Sequence, residues 1–206
     1  MLIKKCSQCK KKKDVEITTP IYSFCSYNCA ILKTKNNAAK SARSAKKKTA
    51  EMRAEDKARL KALMTRSQWY QRLQRVVNQY VTKVRDVDKF CATCGTVNES
   101  IQYDAGHYIA VGKNMDLRFE LTNIHKQCSV QCNQFGRGMP VEYDEFIKNK
   151  YGLSHYNWLN TKFLCHKPHP TLKELFPTWQ DIEAEVNRYA SILKENGIKP
   201  NLRNYQ

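Results

Sequence analysis

Eight of the nine cysteines fall into two sets of one pattern: Cys6-x2-Cys9 followed by Cys25-x3-Cys29, and Cys91-x2-Cys94 followed by Cys128-x3-Cys132. Short loops let the two sulfurs of a pair face one ion, and a hairpin that joins two pairs makes a tetrahedral four-thiolate zinc site. A closed site of this kind keeps no open coordination position, so both zinc ions are expected to be structural and any reaction must occur elsewhere. Between the cysteine pairs of the second set stands YDAGHYI, residues 103–109, in which His107 follows Asp104 by three residues. A neutral imidazole can take a proton from water. A divalent cation such as Mg or Mn on hard oxygen ligands can grip a phosphate and stabilise the leaving oxygen. Asp104 and Asn133 offer such oxygens.

The chain as a whole suits a polyanionic partner. Lys and Arg number 36 against 19 Asp and Glu, a formal charge of +17, and such an imbalance binds phosphates through counterion release. Nucleic acid leads, with a membrane surface second. Only 41 % of the 206 residues are hydrophobic and 27 % are charged, which predicts small folded units joined by exposed segments rather than one large core. No apolar run approaches the roughly 18 residues that span a bilayer, and the start MLIKKCSQCK has no apolar signal core. The chain therefore reads as cytosolic, where thiols stay reduced and cysteine pairs serve metal rather than disulfides.

Four regions must position these residues. Residues 1–32 read as a zinc module. Residues 33–66, rich in Ala, Lys and Arg and free of Gly and Pro, favour a helix with little to bury; this is a solvated arm or linker, or a basic arm along phosphates through Lys46, Lys47 and Lys48. Residues 67–152 begin with an amphipathic helix whose stripe is Trp69, Leu73, Val76, Val77, Tyr80, Val81 and Val84, and a long helix over 36–85 is expected. Within 153–206, Thr178 with Asp181 caps a helix carrying Ile182, Val186, Tyr189 and Leu193, and Gly197 ends it. Cys165, His166 and His169 read as a surface loop between prolines. No Gly-rich phosphate loop or Gly-x-Ser-x-Gly elbow is present, so nucleotide hydrolysis and serine chemistry drop out.

In the second cysteine region, SIQYDAGHYIA alternates as a strand, VGKNMDLRF as a loop, and TNIHKQC returns as a second strand, with a helix starting at SVQCNQF. This hairpin and helix would set His107 facing the helix that carries Asn133. The stretches DAGHY, LRF, NIHKQC and CN, preceded by SQWYQRLQRVVNQYV and by a cysteine module with a Lys-rich arm, resemble the NinG (Rap) family of temperate-phage recombination endonucleases. Residues 103–133 look like the HNH, or ββα-metal, nuclease type.

The resemblance implies an α+β fold with a small zinc-bound ββα-metal core. It implies a metal-dependent endonuclease that cuts branched recombination DNA, D-loops and four-way (Holliday) junctions, in a phage-infected bacterial cell. Two symmetric cuts make a homodimer the economical assembly. Position by position, His107 is the general base, Asn133 a metal ligand directly after Cys132, Asn123 the loop-supporting residue and Asp104 the second ligand. His125 stays open as an alternative ligand or phosphate contact, and Arg118 and Lys126 as phosphate clamps. The sequence departs from the pattern twice. Gly106 stands where many HNH enzymes have an acid, and three residues rather than two separate Cys128 from Cys132, which could rotate Asn133. A non-catalytic zinc DNA-binding protein and a nuclease without branch preference are the other readings.

Overall fold

The computed structural model describes residues 3–19, 21–161 and 169–202, in two compact units, Met1–Leu63 and Met64–Gln206. The pattern is mixed helix and strand, as expected, with both four-cysteine clusters assembled.

In the first unit, β1 (Ile3–Lys5) pairs antiparallel with β2 (Lys12–Asp14), and β3 (Ile17–Thr18) with β4 (Ser23–Phe24). Between β1 and β2 the backbone folds into a knuckle: Cys6 N–H donates to Lys11 O, and Lys10, at φ 64°, donates back to Cys6 O. Helix α1 then runs unbroken over Tyr27–Leu63, so the boundary drawn at residues 32 and 33 lies inside a helix. Ala, Lys and Arg carry it by intrinsic propensity. It holds eleven basic and three acidic residues and buries none of them.

The second unit opens with a cap. Thr65 Oγ1 accepts from Gln68 N–H and the Gln68 side chain accepts from Thr65 N–H, a reciprocal capping box that starts α2 (Arg66–Tyr80). The single helix expected over 36–85 is therefore two, because the cap gives the backbone at Thr65 an extended alternative to helix. Past α2 a π-helical turn, Val81–Arg85, leads into the second four-cysteine cluster. Strands β5 (Tyr103–His107) and β6 (Ile124–Cys128) form one antiparallel hairpin, with Tyr103 opposite Cys128 and His107 opposite Ile124. A π-helical turn over Ser129–Phe135 follows, then α3 (Pro140–Asn160), broken at Gly152 with φ 84°, a short α4 (Leu172–Leu175) and α5 (Trp179–Glu195).

The hairpin is covered on both faces. Ala105 and Ile124 join a core with Trp69, Leu73, Val76 and Val77 of α2 and Ile182, Val186 and Leu193 of α5, each large side chain contributing about 2 kcal/mol of burial. Trp69 stacks on Trp179 at 5.5 Å between ring centroids. Residues 153–206 are thus not a separate region: α5 completes the core that α2 begins. The capping box of Thr178 and Asp181, the stripe and the terminating Gly197 (φ 72°) stand as the sequence indicates. On the opposite face Tyr143 of α3 donates to Gly106 O at 2.9 Å. A buried ion pair locks α2 to the hairpin: Arg85 donates to Leu121 O and Ile124 O, while Asp86, 2 % exposed, accepts from Arg85, Lys89 and the Lys126 N–H. Burial disfavours the Asp86 carboxylate, yet Arg85 and Lys89 hold its pKa well below the usual range.

Candidate active site and zinc centres

The two cysteine sets are one device built twice. In the second, Cys91 N–H donates to Thr96 O and Gly95, at φ 71°, donates to Cys91 O, the same two bonds made by Cys6 and Lys10. A tetrahedron with Zn–S bonds of about 2.3 Å has edges of about 3.8 Å. Cys9 and Cys25 lie 3.7 Å apart, Cys25 and Cys29 3.7 Å, Cys91 and Cys132 3.8 Å, and Cys94 and Cys128 3.5 Å, far beyond disulfide length. Within each set all four sulfurs lie within 4.8 Å of one another. Both sets therefore fit zinc.

The extra residue between Cys128 and Cys132 has a place. It is taken up by the π-helical turn, whose wide closure shows in Gly136 N–H donating to Gln131 O at 2.8 Å. Asn133 is not rotated away: its Nδ2 donates to Asp104 Oδ2 at 3.2 Å, and Ser129 Oγ donates to the same oxygen at 2.6 Å. Asp104 and Asn133 line an open cleft of about 350 Å³ with Asn78 and Gln79 of α2, Thr82 of the π-helical turn after it, and Tyr103. Oxygens of both Asp104 and Asn133 suit a hard cation.

His107 does not line that cleft. In a strand side chains alternate, so residues three apart point to opposite faces. One and three are both odd, however, and Asp104 holds the face that an acid at position 106 would hold, one pleat repeat, about 7 Å, further along. An acid at position 106 would have to displace the Gln127 amide, whose Oε1 stands 2.2 Å from where a Cβ on Gly106 would lie. His107 Nε2 is 3.0 Å from Arg118 O. A carbonyl only accepts, so Nε2 carries the proton and Nδ1 keeps the lone pair. Nδ1 has no hydrogen-bond partner among the described residues. Burial, the largest influence, lowers the His107 pKa from its ordinary value, so the ring is neutral at pH 7.

Asn123 is fully buried and spans the loop between the strands. Its Nδ2 donates to Ile109 O and Leu117 O, both at 3.1 Å, and its Oδ1 accepts from Ile109 N–H at 2.7 Å. These bonds set the loop that brings Arg118 O to His107. Asn123→Ala should therefore lower stability by about 2 to 3 kcal/mol, since it strands the buried Leu117 carbonyl and the half-buried N–H and C=O of Ile109. Urea unfolding would show this as a lower midpoint with an unchanged slope.

His125 lies away from the Asp104 cleft, with both ring nitrogens already bonded, so it is not an alternative ligand there. It is 1 % exposed, bonded to Tyr143 Oη at 3.2 Å and Tyr151 Oη at 2.8 Å, with Phe146 edge-on at 4.9 Å. The β6 register, His125 opposite Gly106, drives it under α3. Burial, with Lys150 and Arg85 adding repulsion, pushes its pKa down to about 2. The folded state keeps His125 neutral while the unfolded chain takes a proton below about pH 6.5. Its contribution to stability is complete above that pH and falls as the pH drops, by up to about 1.4 kcal/mol per unit. Between pH 7.5 and 5.5 the wild type should lose more melting temperature than His125→Phe; parallel losses would mean that another group titrates.

The remaining basic residues differ in freedom. Arg118 Nε donates to Gln74 Oε1 at 3.0 Å and its guanidinium packs over Phe119 and Tyr70, which fixes it to α2. Lys126 Nζ donates to Val87 O and sits 4.4 Å from the Tyr103 ring. Lys46, Lys47 and Lys48 are exposed on α1, and Lys47 pairs with Glu51 at 3.8 Å. Cys165 and His166 lie outside the described residues, and His169 is buried, with Nε2 bonded to Trp158 O at 2.9 Å. The Arg85–Asp86–Lys89 network and the tyrosine cage around His125 carry no sequence signal. No helix among the described residues is long and apolar enough to cross a membrane.

Fold and site define a basic α+β protein of two units, each carrying a four-cysteine cluster able to hold zinc, with an oxygen-lined cleft beside the second. The chain belongs to the bacteriophage NinG family: residues 2–195 match the family described as "NinG: Bacteriophage Lambda NinG protein". It is similar to "Protein ninG" of Salmonella phage P22, 38% identical over 111 residues, which are 54% of this chain and 53% of that protein. It is likewise similar to "Protein ninG" of Escherichia phage 933W, 44% identical over 96 residues (47% of this chain, 46% of that protein), and of Escherichia phage lambda, 43% identical over the same length (47% and 46%). The chain spans about half the length of the curated relatives it matches. No solved structure matches it.

Proposed function

We propose that the chain is a divalent-metal-dependent endodeoxyribonuclease of the HNH, ββα-metal type that cuts branched recombination DNA in a phage-infected cell. The observation that carries this reading is on β5, where His107 is held as the Nε2–H tautomer with an unbonded Nδ1, and Asp104 meets Asn133 across an open cleft. The Nδ1 lone pair takes the proton of the attacking water. Asp104 and Asn133 would hold a catalytic Mg or Mn, which would supply positive charge to the phosphate and to the leaving oxygen. Asn123 and the Arg118 carbonyl orient the base, and the two zinc ions keep the frame rigid. Lys46, Lys47 and Lys48 neutralise phosphates along α1, and Arg118 and Lys126 do so near the cut.

Paired cuts on a junction call for two copies of the site, so a homodimer is part of the proposal; a monomeric mass in light scattering with and without DNA would count against it. The activity itself is tested with zinc-loaded protein, magnesium, a labelled four-way junction and a matched linear duplex. Cutting of the junction alone is expected. Equal cutting of both would leave a nuclease without branch preference, and binding without cutting in magnesium or manganese would make the chain a zinc-dependent DNA binder.

A further inference from the structure

A second concavity opens beside β6, on the same hairpin. Its walls are Phe90, Ala92 and Phe146, and Lys89, Lys126 and Lys150 stand around it; its volume is about 280 Å³. Phe90 is 52 % exposed, a large aromatic ring left in water at the mouth of an apolar cavity. The Lys150 ammonium lies 5.1 Å from the Phe146 ring and 5.2 Å from the Tyr151 ring and makes no ion pair among the described residues. Among the described residues Asp86 is the one acidic residue that lines the cavity, and Arg85 and Lys89 already neutralise it. What remains is apolar, aromatic and net positive.

Those properties select an occupant. Small-molecule pockets run from roughly 300 Å³ upward, so a cavity of this size takes one flat ring and not a helix or a folded partner. The cations around it call for an anion attached to that ring. Position agrees: Ala105, which lines the Asp104 cleft, is paired in the ladder with Lys126, which lines this cavity, so at the backbone the two sites stand one strand spacing apart, about 4.8 Å.

We propose that this cavity receives one unstacked nucleotide of the DNA, its base against Phe90 and Phe146 and its phosphate on Lys150. The inference rests on the DNA reading above and deepens it, because it gives that reading a physical source of branch preference. A continuous duplex keeps its bases stacked and offers nothing to the cavity, whereas a branch point interrupts the stack and a single strand leaves bases unpaired, so a base can be turned out at lower cost.

The test measures equilibrium binding of zinc-loaded protein, without added magnesium, to a labelled four-way junction and to a single-stranded oligonucleotide. Each nucleotide flanking the branch point is replaced in turn by an abasic one. Wild type should lose about tenfold in affinity at one flanking position, a base–aromatic stacking effect. Phe90→Ala should bind the intact junction about tenfold more weakly, should no longer respond to that abasic position, and should melt like wild type. Lys150→Gln should weaken binding with the base still sensed. No sensitive position, or a Phe90→Ala protein that senses it as wild type does, overturns the proposal. Base-dependence on the single strand but not on the junction keeps the cavity and sinks branch preference, while failure to bind either DNA overturns both.

Discussion

His107→Ala should bind a four-way junction as tightly as the wild type and cut it about 10² to 10⁴ times more slowly, the range over which a positioned general base acts. The loss follows from the geometry: the Arg118 carbonyl fixes the proton on Nε2, which leaves Nδ1 as the accepting atom, and alanine supplies no acceptor. Binding is spared because phosphate contacts, not the base, set affinity. The pH dependence carries a sign. Burial lowers the His107 pKa, so the ring stays neutral through pH 7. The single-turnover rate should be flat above pH 6.5 and fall only below it, where protonation removes the lone pair. An alanine variant with wild-type rates, or a rate still climbing between pH 7 and 8 in a fixed metal concentration, would remove His107 from the chemistry.

Loss of zinc from the second cluster should abolish the folded hairpin. Cys91 and Cys94 lie before β5 and Cys128 and Cys132 at and after the end of β6, and the small satellite core here is little more than Cys91, Cys128 and Cys132 with Ile101, Tyr103 and Met139. Structural zinc contributes about 10 kcal/mol or more to small modules, comparable to the whole stability of a domain. Cys91→Ser should bind one zinc per chain instead of two and lower the melting temperature of the second unit by at least about 15 °C, at about 2–4 °C per kcal/mol. Cys6→Ser should also lose one zinc but leave that transition in place, since its cluster belongs to the unit Met1–Leu63. Equal effects of the two substitutions on one cooperative transition would refute two independently stabilised units.

The two clusters were legible because metal ligation is written in short intervals. An x2 and an x3 spacing already restrict where paired sulfurs can go, and the knuckle needs only its own backbone bonds. The hairpin strands, the α2 stripe and the Thr178 capping box are equally local. The break at Thr65 was legible in principle as Thr65 with Gln68, but the uninterrupted helical composition on both sides hid it.

Sequence alone settles the two four-cysteine sets, the strands, the residue types of the site and the family. Tertiary structure decided which of those residues meet. Asn133 reaches Asp104 because a π-helical turn absorbs one residue, and a side chain at position 106 would have to push aside the Gln127 amide from across the ladder. His107 and His125 are the same residue type on facing strands but differ in fate: register buries His125 under the tyrosines of α3 and hands His107 to the Arg118 carbonyl. The physical reason is one of range. Ligand spacing, capping and periodicity act within a few residues, whereas the tautomer of a histidine and the burial of another depend on partners 11 to 26 residues away, placed only when the helices close over the hairpin.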